Sequence, residues 1–269
     1  MHLAGWFTQW RLRRTRAKYP LPLDEWHQLV RSIPCLRNLS AVETAHLRER
    51  LVRLLDRKTL NGVQGLRLTR HMQVQIAAQA CLPILNLDLS YYDGWHEVIV
   101  YPDSFLVRHP VHDDIGLVSQ SERRLRGEAW EQGPVILAWS DIQHDLEQHE
   151  PGSNVIIHEF AHKLDMLNGR ANGMPPLRRD MRPQAWTSAL STAYQALQDQ
   201  LEHHQRARIN PYGATSPAEF FAVLSEYFFT APELLVDECP DVYQQLTQFY
   251  RQDPLHRLHP EKAGHDPRP

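Results

Sequence analysis

The sequence predicts an α+β fold, mainly helical with a small β-sheet. Apolar residues recur at helical period over several capped stretches, while short runs rich in Val, Ile and aromatic residues cluster in the middle of the chain. With 42% apolar residues among 269, there is enough material for a substantial core. The longest apolar stretch, Ile76 to Leu89, is interrupted by Gln79, Pro83, Asn86 and Asp88. It falls short of the roughly 20 apolar residues that cross a bilayer, so no membrane span is expected.

At the start, Leu3, Trp6, Phe7 and Trp10 precede Arg11, Arg13, Arg14, Arg16 and Lys18, the reverse of the order in a secretory signal. Residues 24–31 read as a short helix. Ser40 and Glu43 have capping-box spacing, and Val42, Leu47, Leu51, Leu54 and Leu55 follow near helical period, which predicts a helix over 41–57. Residues 69–81 read as another. Together these make residues 1–80 an N-terminal helical region packed on the rest. Cys35, Cys81 and Cys239 are odd in number, far apart and in no CxxC pair, so neither a disulfide framework nor a thiolate zinc site is expected. A cytoplasmic protein is the expectation.

Glu97–Tyr101 and Phe105–Arg108, with Pro102 and Asp103 between them, read as a strand pair, and 134–139 as a third strand. Either stretch could offer an edge to an extended peptide. Ser140 and Asp141 can cap the short helix that follows. Residues 154–167 read as a helix stopped by Asn168 and Gly169, 170–183 as a loop and 183–205 as a long helix. A turn-rich 210–216 leads to a helix over 217–229 with Pro217 at its first position. The last elements span about 240–252, so the main domain covers 81–252. Residues 253–269, rich in Pro and His, are expected to be a flexible tail.

The net charge of −3 conceals an asymmetry. Residues 1–70 hold 14 Lys or Arg against 5 Asp or Glu, and the remainder 15 against 27. A solvated helix face is the plainer reading of the basic front; an acidic partner, anionic lipid or nucleic acid is the other. The acidic body and the absence of a recognisable helix-turn-helix argue against direct nucleic-acid binding.

The chemistry concentrates in His158-Glu159-Phe160-Ala161-His162, an HExxH motif in a helical stretch. Two His at i and i+4 lie about 40° apart around a helix and can reach one metal ion. The Glu between them is suited to take a proton from activated water and return it to a leaving amine. Because Val155, Ile156, Ile157, Phe160, Ala161, Leu164 and Leu167 flank the motif, its helix should be buried. Polar groups there need partners.

A catalytic zinc usually takes a third protein ligand. The HExxHxxGxxH extension is absent, since Asp165 and Asn168 stand where Gly and His would. Asp165 shares the face of His158 and could be a ligand, an acceptor behind one, or a solvated carboxylate. In the apolar segment 217–229, Glu219 and Glu226 are seven apart on one face, and periodicity alone does not choose between them. Ser216 with Glu219 also fits a capping box, a rival role for that carboxylate.

The segments HEFAHKLD (158–165) and EFFAVLSEYFF (219–229) resemble those of the Mlc titration factor A (MtfA) family of bacterial zinc-dependent peptidases, which are similar to the catalytic domain of anthrax lethal factor. The resemblance covers about residues 85–250. It implies a zincin-like (gluzincin) metallopeptidase domain over 81–252, one Zn2+ per chain held by His158, His162 and Glu219, and Glu159 as general base. It also places a Tyr seven residues before the ligand Glu, where Tyr212 stands. That phenol could donate to an oxyanion, or it could simply pack in its loop. Glu226 then becomes a residue that orients a ligand. The resemblance further implies an aminopeptidase acting on short peptides and binding of the transcriptional repressor Mlc, linked to glucose phosphotransferase regulation. A protein of another class stays open beside it: a repressor-sequestering binder whose zinc is structural.

Overall fold

The computed structural model describes residues 20–261, except 104, 113–117, 126 and 130–132. The apolar and basic clusters of residues 3–18 lie outside these, as do 262–269. The first described helices are α1 (Leu23–Ser32) and α2 (Ala41–Arg57). Ser40 Oγ accepts from the Glu43 N–H at 3.2 Å, and the Glu43 carboxylate accepts from the Ser40 N–H at 2.9 Å, so the capping box is complete. Leu47, Leu51, Leu54 and Leu55 form the buried stripe of α2. Strand β1 (Thr59–Gly62), which the sequence reading missed, leads to α3 (Arg70–Cys81), started by Thr69. From Val74 onward α3 is buried on every side.

The main sheet has the order β1-β2-β6-β5, with β2 at Glu97–Tyr101, β5 at Gly127–Ala129 and β6 at Val135–Ala138. Strands β1, β2 and β6 are parallel, and β5 is antiparallel to β6. The register places Leu60 beside Val98 and Val98 beside Val135, a buried apolar row. Strands β2 and β6 are thus paired on both sides, which removes them as peptide-accepting edges. The expected pairing within 97–108 is also corrected: β3 (Phe105–His112) pairs antiparallel with β4 (Val118–Leu125), from Phe105 opposite Leu125 to His112 opposite Val118. The end of β2 does not turn back, because the Pro102 carbonyl accepts from the Ser140 N–H at 3.1 Å. That bond joins β2 to the point where β6 runs straight into α4 (Trp139–Gln148). Helix α4 therefore starts after Ala138 with no side-chain cap, contrary to the role expected of Ser140 and Asp141.

Helix α5 (Val155–Asp165) packs against β5, β6 and α3, and most extensively against α7 (Pro217–Thr230). Gly152, just before α5, has φ +74°, and a Cβ there would fall 2.2 Å from the Tyr227 ring. Glycine is what allows the α5 entry to lie on α7. Helix α7 is buried continuously from Phe220 to Phe229. Phe221 meets Trp186 of α6 (Pro183–Glu202) and Phe249 of α9 (Pro240–Tyr250), with ring centroids 5.9 and 6.2 Å away.

Two further short helices are α8 (Pro232–Glu238) and α10 (Pro254–Leu258). The expectation of a tail from Asp253 is corrected by α10. Asp253 caps it, and Arg257 donates to the carbonyls of Cys35 and Arg37 at 2.6 and 3.1 Å, tying the segment to the front of the chain. Among the described residues, no helix is long and apolar enough to cross a membrane.

Candidate metal centre

Helix α5 is fixed at its start by side chains aimed at its unpaired N–H groups. Asn154 Oδ1 accepts from Ile157 at 2.9 Å, and Asp145 Oδ2 from Val155 at 2.7 Å. From that start, His158 and His162 project one turn apart toward the same point, with their Nε2 atoms 3.2 Å apart. Helix α7 brings Glu219 to them from its first turn. Its Oε2 is 3.0 Å from His158 Nε2 and 3.3 Å from His162 Nε2. One donor atom from each of these three residues lies within 4.8 Å of the others, so together they could hold a metal ion.

The two heptad-spaced glutamates have separate positions. Ser216 Oγ accepts from the Glu219 N–H at 3.2 Å, but the Glu219 carboxylate faces the imidazoles instead of completing a capping box. Glu226 is on the far side of His158, with Oε1 2.7 Å from Nδ1, and takes no place in the three-residue cluster.

These positions show in the ionisation of the groups. Burial alone would lower the pKa of His158, but the Glu226 and Glu219 carboxylates hold it well above the ordinary imidazole value. Burial pushes Glu219 up, and hydrogen bonds from His158 and His162 more than reverse this, leaving it well below the usual carboxylate range. Glu226 is raised by burial.

Glu159 is 2% exposed, and its Oε2 has no hydrogen-bond partner among the described residues. Burial pushes its pKa up to about 7, which suits a group that must both accept and return a proton near neutral pH. Tyr212 stands in the 3-10 turn Pro211–Thr215, 47% exposed, its ring centroid 6.0 Å from that of His158. Asp165 is outside the cluster. Fully buried, it accepts the Gly173 N–H on Oδ2 at 2.7 Å. The Gly173 carbonyl accepts in turn from Trp186 Nε1 at 3.0 Å. These two bonds fasten the 170–183 loop to α5 and α6.

Sequence reasoning missed several supporting residues. Lys163, next to His162, is 3% exposed and donates to the Gly133 carbonyl at 2.9 Å; burial lowers its pKa to about 8. Gly173 and Asn154 carried no motif. Gln79 did carry a signal, as a polar break in the apolar run from Ile76.

Comparison with known proteins bears on this geometry. Residues 7–251 match the family model of the glucose-regulated metallo-peptidase M90. The chain belongs to the M90 metallo-peptidase family. Proteins named Mlc titration factor A from Yersinia pestis (strain Pestoides F) and from Yersinia pseudotuberculosis serotypes O:1b (strain IP 31758) and O:3 (strain YPIII) are each 43% identical to it over 253 residues. The match spans 93% of this chain and 91% of each relative. The resemblance read from 158–165 and 219–229 is therefore borne out. An M90 metallo-peptidase implies a bound metal ion. The residues present fit one: two imidazole nitrogens and a carboxylate oxygen converge, with the rear nitrogen of His158 already engaged by Glu226.

Proposed function

We propose that this M90 protein is a zinc-dependent peptidase of the aminopeptidase type. In this reading His158, His162 and Glu219 hold one Zn2+ per chain, and Glu159 is the general base. The observation that carries it is the convergence of these three donors beside a buried carboxylate, one oxygen of which has no hydrogen-bond partner among the described residues. Two His and one Glu with an adjacent catalytic Glu favour zinc over harder divalent ions. The peptidase unit then takes in β1 (Thr59–Gly62) along with residues 81–252, because β1 pairs with β2 in the main sheet.

When bound, zinc supplies a Lewis acid that polarises a scissile carbonyl and brings the pKa of water toward about 7. Glu159 takes the proton from the attacking water and delivers it to the departing amine. Its burial keeps it basic enough for the first task and acidic enough, once protonated, for the second. Tyr212, beside His158 and open to solvent, donates its phenol proton in a hydrogen bond to the developing oxyanion. Glu226 fixes the His158 ring from behind.

The name of the Yersinia relatives, Mlc titration factor A, supports a second activity, binding of Mlc; regulation of the glucose phosphotransferase system through that repressor, in the cytoplasm, is part of the same proposal. It also supports the rival reading, a repressor-sequestering protein with a structural zinc. Glu159→Ala separates the two. Elemental analysis should find one zinc per chain in wild type and variant, with Mlc bound by both and a fluorogenic aminoacyl substrate cleaved only by wild type. Cleavage that survives in the variant removes Glu159 as the base. A wild type that binds zinc and Mlc but cleaves nothing leaves the sequestering protein.

A further inference from the structure

Helix α3 carries two glutamines where its neighbours are apolar. Gln75 and Gln79 are 7% and 2% exposed, amid Ile76, Ala77, Ala78 and Ala80 at 0%. A buried amide needs partners at both its oxygen and its nitrogen end. Gln79 has them: its Oε1 accepts from Asn154 Nδ2 at 2.7 Å, and its Nε2 donates to the Gln75 carbonyl at 3.3 Å.

Asn154, itself 6% exposed, is engaged three ways. Its Oδ1 caps α5 by accepting from Ile157, its Nδ2 donates to Gln79, and its backbone N–H donates to Glu226 Oε2 at 2.6 Å. The other oxygen of Glu226 is the one facing His158 Nδ1 at 2.7 Å. The polarity of this chain is forced. The open N–H groups at the start of α5 require an acceptor, so the Asn154 oxygen must point to them. Its nitrogen must then find a buried acceptor, and Gln79 Oε1 is that acceptor.

We propose that Gln79 and Asn154 are positioning residues for His158, forming with Glu226 a hydrogen-bonded relay from α3 that fixes which imidazole nitrogen faces the metal cluster. Without the Gln79 acceptor, the Asn154 amide is left with a buried unpaired donor and turns to satisfy it. The cap of α5 and the N–H holding Glu226 both shift with it. The inference rests on the metal-centre reading for its effect on zinc, and on the hydrogen bonds alone for its effect on the imidazole.

The test uses the full chain. Zinc affinity is measured by chelator competition, and the His158 ring nitrogens are followed by 15N NMR in metal-free protein. Gln79→Met should weaken zinc about tenfold, at the lower end of what loss of an outer partner costs, and displace the His158 Nδ1 signal. Adding Asn154→Ser, which caps α5 and keeps the backbone N–H to Glu226 but has no side-chain amide N–H to satisfy, should restore both. Asn154→Asp keeps the cap but turns an oxygen toward Gln79 Oε1. It should reproduce the loss even if Gln79→Met fails to fold. Unchanged zinc affinity and unchanged imidazole signals in the single variants overturn the relay. If wild type binds no zinc, the metal-centre reading fails, and the imidazole signals alone decide.

Discussion

Oε1 of Glu226 lies 2.7 Å from Nδ1 of His158, so this glutamate braces the rear of the imidazole whose front nitrogen faces Glu219. The two carboxylates share a face of α7, yet their settings differ. The Glu219 side chain is 22% exposed at the first turn, and that of Glu226 is 10% exposed one heptad deeper.

Their amide variants should differ accordingly. Glu219→Gln should lose bound zinc, since a neutral amide oxygen is a poor third donor. Glu226→Gln should keep one zinc per chain with affinity lower by about 10–100-fold. Elemental analysis with chelator competition measures both. Zinc lost from Glu226→Gln and kept by Glu219→Gln would reverse the two assignments.

The metal-free stability of Glu159 variants should depend on pH in a defined direction. Burial pushes the carboxyl from its ordinary 4.5 up to about 7 in the folded protein, so between these values the folded state holds more proton than the unfolded. Stability therefore falls as pH rises from 4.5 to 7 and stays reduced above. The shift corresponds to about 3 kcal/mol at 1.36 kcal/mol per pKa unit. Glu159→Gln should melt several degrees above wild type at pH 8, with the gap closing by pH 4.5. Equal melting temperatures at pH 8 would count against a buried, charged Glu159.

Gly173 separates a packing effect from a purely local one. It has φ +78°, and a Cβ would come 2.5 Å from the Pro217 carbonyl, two residues before Glu219. Gly173→Ala should both lower the melting temperature and weaken zinc binding, because the first turn of α7 must yield. Gly169 has φ +127° with nothing within 4 Å of a Cβ. Gly169→Ala should cost about 1–3 kcal/mol of backbone strain and leave zinc affinity unchanged. Thermal melts beside zinc titrations of both variants check this.

Tyr212→Phe removes a hydroxyl from a half-exposed ring. Stability should change by less than about 0.5 kcal/mol and zinc content not at all. The turnover number should fall by about 10²–10³-fold with little change in KM, as for loss of an oxyanion donor. A fall confined to KM would make Tyr212 a substrate-binding residue instead.

Much of the fold was legible because it rests on local signals. The Ser40–Glu43 box, Pro217 at a helix start and the HExxH spacing are each set by a few neighbouring residues. Pairing was not legible. Strand β1 offers only Thr59-Leu60-Asn61-Gly62, too short for a period, and the partners of β2 lie some 38 residues to either side. Periodicity could not choose between Glu219 and Glu226 for a related reason: heptad spacing equalises their direction, and the depth of α7 against α5 distinguishes them. Helix α10 was missed because its hold is Arg257 on the carbonyls of Cys35 and Arg37, over two hundred residues away.

The parallel pairing of β1 with β2 bears on how the protein can be dissected. Residues 59–62 come from the front of the chain and occupy one margin of the sheet, with Leu60 beside Val98 and Gly62 beside Val100. A fragment beginning at residue 81 would strip that margin and leave the β2 backbone as an open template for another chain. It would also deprive Arg257 of its carbonyl anchors. Such a fragment should self-associate instead of yielding a minimal enzyme, which makes the front of the chain a seal for the sheet as well as a covering of helices.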